Sequence, residues 1–250
     1  MLILCTNDDG YLAAGLGVLA EAARGVGEVR VVAPDREQSA TSHSLTMHFP
    51  LRARQMQEHL HHVDGTPTDC VALAVGAILD GRPDFVLSGI NHGQNMGEDV
   101  LYSGTVAGAM EATILGIPAV AFSYTGRDPE QIAAHGPLVR RLISQIVEHR
   151  SDFPAETLLN VNLPAVPPHE VRGVQVTRLA RRVYTDSLTR AKDPSGREYF
   201  WIGGGGTEWN APEGTDFWAV DHGYVSITPL HLDLTNYRLL TEVERWDLAP

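Results

Sequence analysis

The opening residues MLILCTNDDG constrain the chain more than any other stretch. Met1 to Cys5 is an unbroken apolar run, the pattern of a strand covered on both faces. Asn7, Asp8, Asp9 and Gly10 close it with turn chemistry, so two carboxylates stand at the strand's carboxyl edge. In an open parallel sheet ligands bind at that edge, and in a turn two adjacent side chains can face one crevice, as they cannot within a strand. The pair is a candidate divalent-metal site. Taken alone, such a tetrapeptide is more often a solvated turn, so the rest of the chain has to decide.

The following segments repeat the design. Ala13 to Arg24 place Leu16, Leu19 and Ala23 on one helical face ended by Gly25 and Gly27, and Val29 to Ala33 form a second strand closed by Pro34 and Asp35. This βαβ unit predicts parallel strands. The segment DREQSATSHSLTM then brings Ser39, Thr41, Ser42 and Ser44 to the same edge as Asp8 and Asp9. Leu45 to Asp64 reads as an irregular β excursion whose His59, His61 and His62 lack metal-ligand spacing and are expected to be exposed and unliganded. Thr66 or Thr68 caps a helix from Asp69 to Leu79, and Pro83 to Ser88 make a third core strand.

That strand ends in SGINHGQNMGEDVLYSGTVAGAMEA. Asn91 and Asn95 offer neutral oxygens or amide donors. Ser103, Gly104 and Thr105 precede a small-residue helix, Val106 to Leu115, whose free N–H groups make a phosphate cradle. Either hydroxyl could also be an ordinary helix cap. Three strand-to-loop transitions therefore deliver an Asp pair, a Ser and an Asn with a cradle to one rim.

Pro118 to Tyr124 is predicted as a fourth strand, Glu130 to His149 as a surface helix and Leu158 to Leu163 as a further strand. The expected fold is α/β, a Rossmann-like doubly wound, mostly parallel sheet up to about residue 165, with a C-terminal β-hairpin arm over about 166–250 in one single domain. Val171 to Thr177, Glu198 to Ile202, Phe217 to Val220 and Tyr224 to Ile227 are read as strands in hairpins. The GGGG run from Gly203 to Gly206 is read as a loop, since no helix follows it. The arm gathers Tyr199, Trp201, Trp209 and Trp218 with Arg178, Arg181 and Arg182, and aromatic hairpins of this kind rarely stand alone in water, which points to packing on another subunit.

Composition narrows the chemistry. The formal net charge is -12, which argues against polymeric nucleic acid or an anionic membrane as a partner, because both demand clustered Lys and Arg. Two cysteines and the absence of a signal-like or membrane-spanning run favour a cytoplasmic protein. Oxygens from Asp8, Asp9, Ser39 and Asn91 make a hard site suited to Mg or Mn, and two carboxylates leave a dication about neutral and able to accept a phosphate dianion. Ser103, Thr105 and the helix start would hold the equatorial oxygens while a water attacks phosphorus. Other phosphoryl machineries fit less well. The aspartates are adjacent, whereas an aspartyl-phosphate enzyme of the haloacid-dehalogenase type separates them by one residue, and the single lysine, Lys192, lies far from any Walker-type glycines.

The motifs NDDG, VVAPDREQSATSHSLT, GTPTDC, SGIN, YSGTVAGAME and GYVSITPL together closely resemble the survival protein E (SurE) family, essentially end to end. The resemblance implies a stationary-phase survival phosphatase: a 5'-nucleotidase acting on nucleoside 5'-monophosphates, with 3'-monophosphates and short polyphosphates as further substrates. It implies one divalent ion per subunit on Asp8, Asp9, Ser39 and Asn91, and a phosphate surrounded by Asn7, Asn95, Ser103, Gly104 and Thr105. It also implies dimers or tetramers built by exchange of C-terminal arms. Gln94 replaces a usual Pro and Ala112 a usual Gly, and neither change removes a ligand. His92 beside Asn91 is a possible proton donor to the leaving oxygen. Two other classes remain open from sequence: a nucleotide-binding sensor without turnover, and a self-assembling structural protein.

Overall fold

A computed structural model describes residues 1–126, 128–184, 188–202 and 207–248. The apolar opening run is the strand β1 (Leu2–Thr6), with Ile3 and Cys5 in one apolar cluster and Leu4 in the other. That two-sided burial is why the run shows no alternation. Helix α1 (Ala14–Arg24) follows and returns the chain to β2 (Glu28–Pro34), which pairs in parallel with β1. The excursion forms β3 (Ala53–Gln57) and β4 (Leu60–Val63), an antiparallel pair at the sheet edge with a register shift between Gln55 and Gln57.

The chain then crosses to the other side of β1. Helix α2 (Pro67–Leu73) starts with a reciprocal Thr66 and Asp69 cap and continues as a π-helical turn to Ile78. Strand β5 (Phe85–His92) pairs with β1, and α3 (Gly104–Ile114) leads to β6 (Ala119–Tyr124). The predicted helix over 130–149 is instead two, α4 (Pro129–Ala134) and α5 (Gly136–Glu148). Pro137 explains the break, because it has no N–H to give and its ring crowds the carbonyl four residues back. Strand β7 (Thr157–Leu163) completes the parallel series. Helices α1, α4 and α5 cover one face and α2 and α3 the other, as a doubly wound sheet requires.

Beyond residue 165 the chain does more than form hairpins. Short β8 (Val174–Val176) edges the main sheet. Strands β9 (Arg181–Tyr184), β10 (Leu188–Lys192), β11 (Glu198–Ile202) and β12 (Thr207–Asn210) pair antiparallel, β9 with β12 and β10 with β11, as a long ribbon. The Gly203–Gly206 run lies outside the described residues. Phe217 to Val220, expected as a strand, belongs to helix α6 (Asp216–Asp221): the Thr215 hydroxyl caps it by accepting from Trp218 N–H at 3.4 Å, and this cap outweighs the strand preference of adjacent aromatics. Of Tyr224 to Ile227, expected in a hairpin, the last three residues belong to β13 (Val225–His231), which inserts into the main sheet between β7 and β8. A last helix, α7 (Tyr237–Val243), ends the described chain.

The sheet order is β3-β4-β2-β1-β5-β6-β7-β13-β8. Its winding direction reverses between β1 and β5, so a crevice opens at their carboxyl ends. Phe122 on β6 is fully buried, whereas Leu12 at the start of the first crossover is 80% exposed. Phe122→Ala is expected to cost about 3 to 5 kcal/mol in urea unfolding. Leu12→Ala should cost less than about 0.5 kcal/mol, and equal costs would contradict this placement of the core.

Candidate metal centre and phosphate pocket

Asp8 and Asp9 leave the end of β1 at this crevice. They are held there from three directions. The main-chain oxygen of Asp8 accepts from Gln38 N–H at 2.7 Å, which ties the loop after β2 to the end of β1. The Asp8 carboxylate accepts from the Thr105 hydroxyl in the first turn of α3. The Asp9 carboxylate accepts from His92 N–H at 3.2 Å, at the end of β5.

Asn91 is aimed by an irregularity in β5. Ser88 pairs with Ala121 but Asn91 with Ser123, so β5 carries one extra residue there, and such a bulge redirects the side chains after it. Gly89 within it has φ +128, and a Cβ there would meet Phe122 O at 2.2 Å, so no other residue fits. The Asn91 Nδ2 donates to Gly93 O at 2.9 Å, which leaves Oδ1 available as a candidate oxygen donor. Ser39 lies on the loop after β2, where Ala40 and Ser42 take positive φ, and its hydroxyl donates to Glu37 Oε1 at 2.6 Å.

These side chains share one cavity of about 740 Å³, lined by Asp8, Asp9, Ser39 and Asn91 together with Glu37, His92, Asn95, Asp99, Tyr102 and Ser103 among others. Of the residues expected around the phosphate, Asn95 and Ser103 line the cavity, while Asn7, Gly104 and Thr105 stand behind its wall. Asn7 is fully buried with Nδ2 donating to Gly10 O at 3.0 Å, so it braces the aspartate turn. Gly104 packs flat on Asp8, where a Cβ would sit 2.8 Å from the Asp8 Cβ and 3.0 Å from Oδ2. Ser103 caps α3 by accepting from Val106 N–H at 3.1 Å and keeps its own proton to donate.

The sequence did not single out three supporting residues. Asn95 N–H donates to Asn162 Oδ1 at 3.0 Å, its carbonyl accepts from Asn160 Nδ2 at 2.8 Å and Asn162 Nδ2 at 3.0 Å, and its Nδ2 donates to Ser123 Oγ at 2.8 Å. All three partners are fully buried. The available signal was the alternation of Asn160 and Asn162 within the otherwise apolar strand LLNVNL, since a buried polar side chain needs a partner. The histidines of the β excursion lie apart from the cavity lining, and His62, half-buried, stacks on Tyr11 at 4.9 Å.

The electrostatics are one-sided. Among the described lining residues there is no Lys or Arg, against Asp8, Asp9, Glu37 and Asp99. Burial pushes the Asp8 carboxyl up to about 6, only partly offset by the Thr105 hydroxyl, and the Asp9 charge adds to the rise. Burial also raises Asp9. Two desolvated carboxylates with neutral oxygens from Ser39 and Asn91 suit a hard dication. No three His, Cys, Asp or Glu side chains gather as a metal cage among the described residues, and the candidate donors are two carboxylates, one hydroxyl and one amide.

The model of the family described as "Survival protein SurE" matches residues 3–186. The chain belongs to the SurE family. It is 59% identical over its full length, and the full length of the relative, to a protein of Gemmatimonas aurantiaca named 5'-nucleotidase SurE, and 51% identical to one of the same name from Geobacter metallireducens, covering 100% of this chain and 98% of that relative. The crystal structure of the SurE protein from Aquifex aeolicus superposes with a TM-score of 0.87 at 44% identity, over 98% of each chain. The SurE family assignment, the α/β fold and the cavity at the winding reversal thus agree.

The raised Asp8 pKa fixes a sign for metal-free protein. A carboxyl whose folded value lies near 6 rather than 3.8 contributes stability that is fully present below about pH 4 and is lost as pH rises through 6. The wild-type unfolding free energy minus that of Asp8→Asn should fall by up to about 3 kcal/mol between those limits. A flat difference in chelator-treated protein would contradict the burial argument. Gly104→Ala should weaken Mn binding in a folded protein by more than about tenfold, read by titration.

Proposed function

We propose that this SurE-family chain is a divalent-metal-dependent phosphomonoesterase that hydrolyses nucleoside 5'-monophosphates, with one Mg or Mn ion held by Asp8, Asp9, Ser39 and Asn91. The observation that carries the reading is the aspartate pair, Asp8 buried and Asp9 half-buried, in an acidic cavity that also opens on the start of α3. Asp99 is paired with Arg182, but the charge of the Asp8 and Asp9 pair opposes entry of an anionic substrate unless a cation neutralises it. The printed name of the relatives, 5'-nucleotidase, supports the substrate class.

Each residue has a task. A divalent ion supplies the Lewis acidity that polarises a phosphoryl oxygen and acidifies an attacking water. Thr105 keeps the Asp8 carboxylate oriented, and His92 N–H does the same for Asp9. Ser103 Oγ–H and the second Nδ2–H of Asn95, the first being donated to Ser123, supply donors to equatorial phosphoryl oxygens from the cavity lining. The free N–H groups of the first turn of α3 favour negative charge on the same side. The cavity exceeds what phosphate alone requires, leaving room for a nucleoside.

Nucleoside 3'-monophosphates and short polyphosphates belong to the same reading, as does a cytoplasmic location. Free, buried Cys5 and Cys70 support a reducing compartment. No helix among the described residues is long and apolar enough to cross a membrane. A dimer or tetramer joined through the hairpin ribbon is supported by its solvent-facing strip, where Phe200, Trp201 and Ile202 are 60%, 66% and 87% exposed. Trp209 and Trp218 are not part of that strip, since they stack on Phe217 and His222 of the same chain.

Purified protein should release phosphate from nucleoside 5'-monophosphates, stop with chelator and resume with Mg or Mn. Asp8→Asn should keep a native circular dichroism spectrum and lose turnover by more than about a hundredfold. Turnover that survives either treatment would discard the proposal.

A further inference from the structure

The loop from Gly93 to Ser103 brings Asn95, Asp99, Tyr102 and Ser103 to the cavity. Its outer side is fastened to a segment more than eighty residues downstream. Asp216, fully buried at the start of α6, accepts at Oδ2 from Gly97 N–H at 2.9 Å and at Oδ1 from Ala180 N–H at 2.7 Å and Phe217 N–H at 2.8 Å. Arg182 adds a second fastening. Its N–H donates to Glu98 Oε2 at 2.7 Å, and its Nη1 donates to Asp99 Oδ1 at 2.5 Å. The Trp209 ring closes the gap, since a Cβ on Gly97 would stand 2.7 Å from it. Residues 180–182 and 209 are the base of the hairpin ribbon.

The two sides of the cavity meet at the start of α3, but the side formed by the 93–103 loop has an outer support of its own. Asp8 and Asp9 are tied to the loop after β2, to α3 and to the end of β5, and none of those hydrogen bonds involves residues 180–216. The half bearing Asn95 and Ser103 is braced from within by Ser123, Asn160 and Asn162, and from outside by Asp216 and Arg182. A side chain that ties together main-chain N–H groups from separate segments fixes their spacing, and donors to a phosphoryl group tolerate little displacement.

We propose that Asp216 and Arg182 are positioning residues for the phosphate half of the site: they hold Gly97, Glu98 and Asp99, and through them the placement of Asn95 and Ser103, while leaving the metal half unaffected. The inference rests on reading the cavity as a phosphomonoesterase site. It makes the base of the ribbon a working part of that site.

The test uses full-length protein with Mn and compares Arg182→Gln, Arg182→Lys and Asp216→Asn. Inorganic phosphate is the probe for one half, read as its inhibition constant, and Mn titration of metal-free protein reads the other. In Arg182→Gln and Asp216→Asn the phosphate constant should rise about tenfold while the Mn dissociation constant stays within about twofold of wild type. Arg182→Lys, which keeps a cation beside Asp99, should recover most of the loss. Arg182 is half-exposed, so Arg182→Gln carries the test even if Asp216→Asn fails to fold. Phosphate and Mn affinities that weaken together, or that both stay unchanged in Arg182→Gln, would overturn the positioning role. Wild-type protein with no metal-dependent turnover would overturn the functional reading itself and this inference with it.

Discussion

Everything around the cavity depends on keeping a buried carboxylate, Asp8, at the end of the first strand with no lysine or arginine among the described lining residues to neutralise it. A desolvated charge of this kind is costly unless it is hydrogen-bonded and paired. The fold supplies the hydrogen bonding through Thr105, and the pairing is left to a cation. The same residue is also the junction of the site: its carbonyl fixes the loop after β2 and its side chain fixes the first turn of α3. Gly104 is the consequence, because only a residue without a side chain lets the helix start this close to the carboxylate.

Topology makes the junction possible. The chain builds β2 and β4 on one side of β1, then β5, β6 and β7 on the other, so the loops after β1, β2 and β5 diverge around one opening. The bulge in β5 turns Asn91 toward that opening. Asn160 and Asn162 on β7 brace the next turn of the same loop from two strands away. Rigid strand ends thus carry the oxygen donors, while loops bridge between them.

Much of this was legible in the sequence, for identifiable reasons. The unbroken MLILC run, the Gly and Pro punctuation and the clustering of polar residues after each strand are local signals, and they placed Asp8, Asp9, Ser39, Asn91, Asn95 and Ser103 at one rim. What was not legible depended on partners distant in the chain. The apolar run Phe217 to Val220 reads as a strand until the Thr215 cap is weighed against it. Strand β13 joins the main sheet only because β7 offers an unpaired edge sixty residues earlier, and no turn residue announces such a pairing. Asp216 looks like an ordinary helix-start carboxylate, and its hold on Gly97 follows only from tertiary contact. The split of the 130–149 helix was readable in principle, from Pro137.

The central claim is that oxygens from three separate strand ends meet on one cation beside the start of α3. Anomalous diffraction from crystals grown with Mn and inorganic phosphate measures this directly. The account predicts one Mn peak in the cavity, coordinated by Asp8, Asp9, Ser39 and Asn91, with phosphate between it and Ser103. A Mn peak elsewhere on the chain, or bound phosphate outside this cavity, would contradict it.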